Sequence, residues 1–192
     1  MREVSWIWVR HSSFFSYLAQ HKRTYTGTAI TPEKVKNIFS GGRTAFQYPE
    51  GRKLKIRGVV PPEVLAKPDD MIDSEGRPCI VVGKDGSTTG LTFGSYAGLE
   101  SFVSDDDVES IELGIYNLSR DDRVFSDYGD SGALIWDSLG RVLGQLHSGQ
   151  FKKKNLTWSH VMYATPGWWL LQRIKARYPD AIFFRDTWSE SA

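Results

Sequence analysis

Six short runs of apolar or alternating residues, separated by turns that contain glycine, dominate the chain from Arg77 onward. The runs cover residues 79–82, 88–93, 111–116, 133–136, 142–146 and 160–164. Short strands of even spacing with glycine at the corners predict an antiparallel sheet that closes on itself. We therefore expect an all-β fold, a single six-stranded antiparallel barrel, with Lys84-Asp85-Gly86 as the turn of its first hairpin.

The residues after the last run predict one terminal helix. Thr165 is a typical helix cap and Pro166 suits the first helical turn, while Leu170, Leu171 and Ile174 recur at helical spacing. We expect this helix to begin at Pro166 and to pack outside the barrel.

The first 75 residues have a different pattern, mixed and partly helical, with a strand predicted over residues 53–60. The polar, proline-containing stretch 66–78 is the best boundary candidate. We predict an N-terminal segment over 1–75, a bridge from or remnant of a missing first barrel. The barrel with its terminal helix then occupies 76–192.

Charge and cysteine content narrow the class of protein. The chain has 24 basic and 23 acidic residues and a net charge of +1, which gives no reason to expect nucleic acid or a membrane as partner. The N-terminus lacks the pattern of a signal peptide. Because Cys79 is the single cysteine, no intrachain disulfide can form, which favours an intracellular, cytoplasmic location. No motif implies a cofactor or a metal.

The stretch Gly129-Asp130-Ser131-Gly132-Ala133 has the residue types that acyl transfer needs. A glycine allows the tight turn in which the amides of Gly129 and Ser131 point at one spot, where an oxyanion would develop while the Ser131 hydroxyl attacks. Asp130 is expected to accept local backbone hydrogen bonds and shape the turn. The alternative is an ordinary tight turn whose serine has no chemical role.

Five stretches together resemble a known family: residues 82–89, 96–99, 129–134, 146–149 and 163–169. They are similar to the second barrel of chymotrypsin-like serine proteases, and most similar to a group of fungal trypsin-like proteins of uncharacterised function. The resemblance extends over roughly residues 40–185.

The resemblance implies a serine endopeptidase with Ser131 as nucleophile and the Gly129 and Ser131 amides as oxyanion hole. It places His147, Ser148 and Gly149 on one wall of the substrate pocket and Phe125 near its base, which disfavours lysine or arginine. A histidine at position 147 implies a preference for glutamate or glutamine, because an imidazole can donate to a carboxyl or amide oxygen. The alternative for His147 is a buried histidine paired with the backbone.

The family's histidine motif is missing. His11 and His21 are the only histidines that precede Ser131 in the sequence, so they are the only upstream candidates for the general base. Both fit ordinary surface positions. Since a serine hydroxyl is a weak nucleophile without a base, we expect an incomplete peptidase, inactive as this chain, whose partners are a peptide substrate and a missing N-terminal barrel. The alternative is a non-catalytic peptide-binding or interaction module derived from such a protease.

Overall fold

A computed structural model describes residues 56–72, 76–105, 108–118, 124–149 and 161–184. Predictions that fall before residue 56, including those for His11 and His21, lie outside these residues. The strands are β1 (Gly58–Val59), β2 (Met71–Ile72), β3 (Pro78–Gly86), β4 (Gly90–Asp105), β5 (Val108–Asn117), β6 (Leu134–Asp137), β7 (Arg141–Gly149) and β8 (Val161–Pro166). The helices are α1 (Pro62–Leu65) and α2 (Gly167–Arg177).

Strands β3 to β8 form a closed antiparallel barrel. Their order is β7-β6-β3-β4-β5-β8, and β8 pairs back with β7, so the sheet has no open end. Every pairing within this ring is antiparallel. The predicted all-β, six-stranded antiparallel barrel is confirmed.

The barrel interior is filled by aliphatic and aromatic side chains from all six strands and from the segment before them. Val60 and Leu65 belong to the same buried cluster as Ile80, Leu113 and Leu143. Strand β1 pairs in parallel with the start of β7, which anchors this segment to the barrel wall. The domain division at residue 75 stays a prediction, but residues 58–65 are packed against the barrel.

The first hairpin turns later than predicted. Strand β3 continues through Lys84 and Asp85 to Gly86, which pairs with Gly90, and the turn occupies residues 87–89. The Asp-Gly pair favoured a turn at 84–86, but Lys84 points inward to a partner distant in sequence. Strand β4 is also far longer than the predicted run, because polar residues after Tyr96 interrupt the apolar alternation without ending the strand.

The terminal helix packs outside the barrel against β7 and β8, as predicted. Its start differs, because Pro166 still pairs with Gly144 as the last residue of β8 and the helix begins at Gly167. A Cβ at Gly167 would lie 3.0 Å from the Val142 carbonyl oxygen, so a small residue is needed where the helix meets the sheet. Over the described ranges, no helix is long and apolar enough to cross a membrane.

Candidate active site

The turn that carries Ser131 is held in shape by two glycines. Gly129 and Gly132 have φ angles of +95° and +90°, in the left-handed region that favours glycine. A Cβ at Gly129 would also lie 2.5 Å from the Thr88 Oγ1 atom. The turn therefore favours glycine at both positions, most strongly at Gly129, where a Cβ would also meet Thr88.

Backbone amides in the turn alternate between paired and free. The Asp130 amide donates to the Asp127 carbonyl at 3.1 Å, Gly132 to the Leu146 carbonyl at 2.7 Å, and Ala133 to the Asp130 carbonyl at 3.0 Å. By contrast, the amides of Gly129 and Ser131 donate to no acceptor among the residues that the structure describes. Within the described ranges, these two N–H groups are therefore open to an external acceptor.

The Ser131 side chain is exposed and lies beside β7. Its hydroxyl donates to the His147 carbonyl oxygen at 3.1 Å. Within the described ranges, no imidazole or carboxylate is hydrogen-bonded to this hydroxyl. Ser131 thus lies beside the predicted substrate wall, and the described part of the chain offers no general base to its oxygen.

The His147 ring lies between two polar side chains. Its Nδ1 atom is hydrogen-bonded to the Ser148 Oγ atom at 2.9 Å. Its Nε2 atom lies 3.2 Å from the Glu112 Oε2 atom, a buried oxygen that has no hydrogen-bond partner within the described residues. The imidazole is 37% exposed, whereas the Glu112 side chain is 7% exposed. We call His147, Ser148 and Glu112 the His147 cluster. The carbonyl that accepts the Ser131 hydroxyl belongs to His147 itself, so the cluster is directly linked to Ser131.

Glu112 was missed by the sequence analysis. It sits in a run of apolar residues on β5, between Ile111 and Leu113, opposite Ser101 on β4. A glutamate inside an alternating apolar strand was the available signal, but only the closure of the barrel through β8 brings β5 near β7.

The other two residues predicted for the substrate pocket, Gly149 and Phe125, are less exposed than Ser131 and His147. Gly149 pairs with Met162, whose thioether fills the space that a side chain at position 149 would need. Phe125 is fully buried in the barrel core, with its amide bonded to the Asn117 side chain and its carbonyl to the Thr92 hydroxyl. The roles of both residues in substrate binding stay predictions.

Asp130 is the most heavily bonded side chain of the turn. Asp127 supplies the local backbone donor that the sequence led us to expect, at 3.2 Å. The other donors are the Thr88 amide at 2.7 Å, the Thr89 amide at 3.2 Å, the Thr89 hydroxyl at 2.6 Å, the Ser126 hydroxyl at 3.4 Å and the Lys84 ammonium at 3.0 Å. Most of them come from the first hairpin, more than 40 residues away in the chain.

Burial and hydrogen bonding shift the pKa values of Asp130 and Lys84 in opposite directions. Burial raises the pKa of the Asp130 carboxyl, but the hydrogen bonds from Thr89, Thr88 and Lys84 and the Lys84 charge together lower it to about 2. Burial lowers the pKa of Lys84 below its ordinary value, against the opposing hydrogen bond and charge of Asp130. The carboxylate is therefore held in its charged form.

The chain shows a weak similarity to a known protein of solved structure. No family model matches the chain, and no curated protein matches it. Among solved structures, the chain is similar to a chymotrypsin from Cellulomonas bogoriensis, with 18% sequence identity and a TM-score of 0.40. The match covers 78% of this chain and 61% of that chymotrypsin, so the chain spans less than two thirds of its length.

Proposed function

We propose that this chain is a serine endopeptidase-type domain of trypsin-like descent, related to the fungal trypsin-like proteins that its motifs resemble. The observation that supports this most is the pair of free amides at Gly129 and Ser131 beside an exposed serine hydroxyl. An oxyanion hole needs donors about 2.7–3.1 Å from the developing oxyanion, and backbone amides with no internal acceptor are suited to that task.

In the proposed chemistry, Ser131 Oγ forms a bond to the carbonyl carbon of a peptide, and the carbonyl π electrons move to its oxygen. That oxyanion accepts hydrogen bonds from the Gly129 and Ser131 amides. Collapse of the intermediate breaks the C–N bond, the amine leaves with a proton, and water then hydrolyses the ester on Ser131. The serine proton must pass to a base, and none is bonded to Ser131 in the described part of the chain.

Because no base is bonded to Ser131 within the described residues, we propose that the chain alone has little or no peptidase activity. Triad residues act as a unit, and without the base only the hole and substrate binding contribute to rate. We propose that a histidine from a missing N-terminal barrel would complete the site. The second candidate function, which we keep as the alternative, is a non-catalytic peptide-binding or interaction module derived from such a protease.

The exposed His147 imidazole supports a preference for glutamate or glutamine next to the cleaved bond. Its side chain is 37% exposed on the proposed substrate wall, and an imidazole N–H can donate a hydrogen bond to a carboxyl or amide oxygen.

We also propose that the substrate is a peptide or protein, that nucleic acids and membranes are not partners, and that the protein is intracellular and cytoplasmic. The balanced charge and the single cysteine support these proposals.

Labelling with a fluorophosphonate tests the proposed function. We expect slow labelling that Ser131→Ala abolishes and that Ser104→Ala, a change of an exposed serine on β4, leaves within about twofold. Fast labelling that depends on Ser131 would mean that a base reaches this hydroxyl and would overturn the proposed inactivity. No labelling at Ser131, with saturable binding of glutamine-containing peptides, would support the binding module instead.

A further inference from the structure

Glu112 is the buried member of the His147 cluster, and one of its carboxyl oxygens lacks a hydrogen-bond donor. The Glu112 side chain is 7% exposed, and its Oε2 atom accepts no hydrogen bond from the residues that the structure describes. A carboxylate that is withdrawn from water without a donor or a counterion is strongly unfavourable. A glutamate at this position therefore needs a partner that can supply positive charge.

The His147 imidazole is the group that can supply this charge. Its Nε2 atom lies 3.2 Å from the Glu112 Oε2 atom, and over the described ranges Glu112 has no other ion contact. Ser101 lies opposite Glu112 on β4, and Tyr163 on β8 lies opposite the other end of the cluster, so these neighbours are a hydroxyl and a phenol. A carboxylate this close to an imidazole favours the imidazolium, because the attraction stabilises only the charged form.

A β-bulge brings the side chains of His147 and Ser148 together. At this point β7 has one more residue than β8, because Leu146 and Ser148 face consecutive residues of β8. Successive side chains of a regular strand point to opposite faces, but here the Ser148 Oγ atom reaches the Nδ1 atom of its neighbour at 2.9 Å. Both residues are exposed, so the cluster has an exposed end as well as a buried one.

A charged imidazolium fixes the direction of the Ser148 hydroxyl. Both ring nitrogens then carry hydrogen, so Nδ1 donates to the Ser148 Oγ atom and the hydroxyl hydrogen points away from the ring. Because Ser148 is exposed and the His147 carbonyl accepts the Ser131 hydroxyl, this hydrogen is available to a ligand bound beside Ser131. The compensating charge of Glu112 lies on the buried side, so an anion that arrives from solvent meets the positive end of the pair first.

We propose that Glu112 is a positioning residue that keeps His147 charged, so that the surface beside Ser131 binds a carboxylate side chain in preference to the corresponding amide. A hydroxyl that donates to a carboxylate forms a charge-assisted hydrogen bond, which is about twice as strong as a bond between neutral groups. The ligand class is therefore a peptide with glutamate rather than glutamine at this position. Cleavage of such a peptide rests on the proposed function, whereas the charge on His147 and the binding of the carboxylate do not.

The test compares four variants of the full chain. Glu112→Gln removes the buried carboxylate and, with it, the reason for a charged His147. Since the pair is neutral before and after this change, a change in anion binding reports where the charge lies. Glu109→Gln is the matched control, because it removes an exposed acid from the same strand. Ser148→Ala removes the hydroxyl and keeps the ion pair, and His147→Gln identifies the signals of this ring among those of the four histidines.

Two measurements are made at pH 7. Nitrogen NMR shifts of the His147 ring report whether each ring nitrogen carries hydrogen, and calorimetry gives the affinity for two capped pentapeptides that differ only in glutamate or glutamine. We expect both nitrogens to be protonated in the unmodified chain, in Glu109→Gln and in Ser148→Ala, and one nitrogen to lose its hydrogen in Glu112→Gln. Affinity for the glutamate peptide should fall at least about tenfold in Glu112→Gln and in Ser148→Ala, whereas affinity for the glutamine peptide should change less than about threefold.

A singly protonated His147 ring in the unmodified chain would overturn the role of Glu112. So would an equal loss of affinity for the two peptides in Glu112→Gln, because a purely structural role would weaken both. Selective binding of the glutamate peptide by a charged ring, in a chain whose Ser131 a fluorophosphonate does not label, would support this role and contradict the proposed function. If Glu112→Gln does not fold, the ring shifts of the unmodified chain and the peptide selectivity of Ser148→Ala decide the matter.

Discussion

At the scale of single residues, the turn depends on a carboxylate whose charge is stabilised from several directions. Six donors converge on Asp130, and the pKa of its carboxyl is about 2 in the folded protein against an ordinary value of 3.8. A carboxyl with a lowered pKa stabilises the folded state above its ordinary pKa, and this contribution is lost as the pH falls through the folded pKa.

We therefore predict that Asp130→Asn costs most stability above pH 4 and that its cost shrinks between about pH 4 and pH 2, by about 2 kcal/mol. Urea unfolding of both proteins across this pH range measures the difference. Asp180→Asn, a change of an exposed carboxyl, serves as the control and should show no such trend. A cost of Asp130→Asn that is constant with pH would contradict the prediction.

Gly129 provides a second prediction at this scale. Gly129→Ala forces a left-handed φ on a residue with a Cβ and brings that Cβ against the Thr88 hydroxyl, so we expect a loss of about 1–3 kcal/mol. Gly132→Ala has an equally positive φ but open space around its Cβ, so it should cost less. Thermal unfolding of the two variants gives the comparison, and an equal or reversed order would show that the Thr88 contact is unimportant.

At the scale of elements, the pairing of β3 with β6 creates a tight fit on the outer side of the barrel. Gly83 lies opposite Trp136, and a Cβ there would lie 2.7 Å from ring atoms Cζ2 and Cζ3 of Trp136. The indole also packs edge-on against Phe93, with ring centroids 5.8 Å apart, which restricts its movement. The fit therefore leaves the ring little room to give way.

We predict that Gly83→Ala destabilises the protein by about 1–3 kcal/mol, because extra volume at a packed contact strains its neighbours. In a Trp136→Phe background the same change should cost clearly less, since the smaller ring frees the space. A double-mutant cycle by urea unfolding measures the coupling. Additive costs would mean that Gly83 and Trp136 do not restrain each other.

Features set by neighbouring residues could be predicted from the sequence, whereas features set by contacts between distant residues could not. The six strands could be predicted because alternation along the chain reports which side chains face the core. The turn at 87–89 could not, because Thr88, Thr89 and Lys84 are bound by Asp130, far along the chain. Glu112 escaped for the same reason: its contact with His147 exists only after β5, β8 and β7 have paired.

At the scale of the whole molecule, the core of the barrel includes side chains from before the predicted domain boundary at residue 75. Val60 and Leu65 are almost wholly buried in its core, and the Val60 amide donates to the Val142 carbonyl at 2.8 Å. Removal of these two side chains would open the core cluster to water along one side of β7.

We predict that a chain beginning at residue 76 loses at least about 3 kcal/mol relative to a chain beginning at residue 56, since each lost core aliphatic side chain typically costs about 2–5 kcal/mol. Urea unfolding and limited proteolysis of the two fragments make the comparison. Equal stability of the two fragments would instead support a domain boundary at residue 75.

The Lys84–Asp130 pair also sets an order of events during folding. Its partners are 46 residues apart, on either side of two long strands, so no local segment of the chain can complete the Ser131 turn by itself. A nascent chain that has emerged only as far as β5 carries the lysine without its carboxylate. We therefore expect the serine turn to be among the last parts of the barrel to acquire its native conformation, and its assembly to report that the strands before it have already paired.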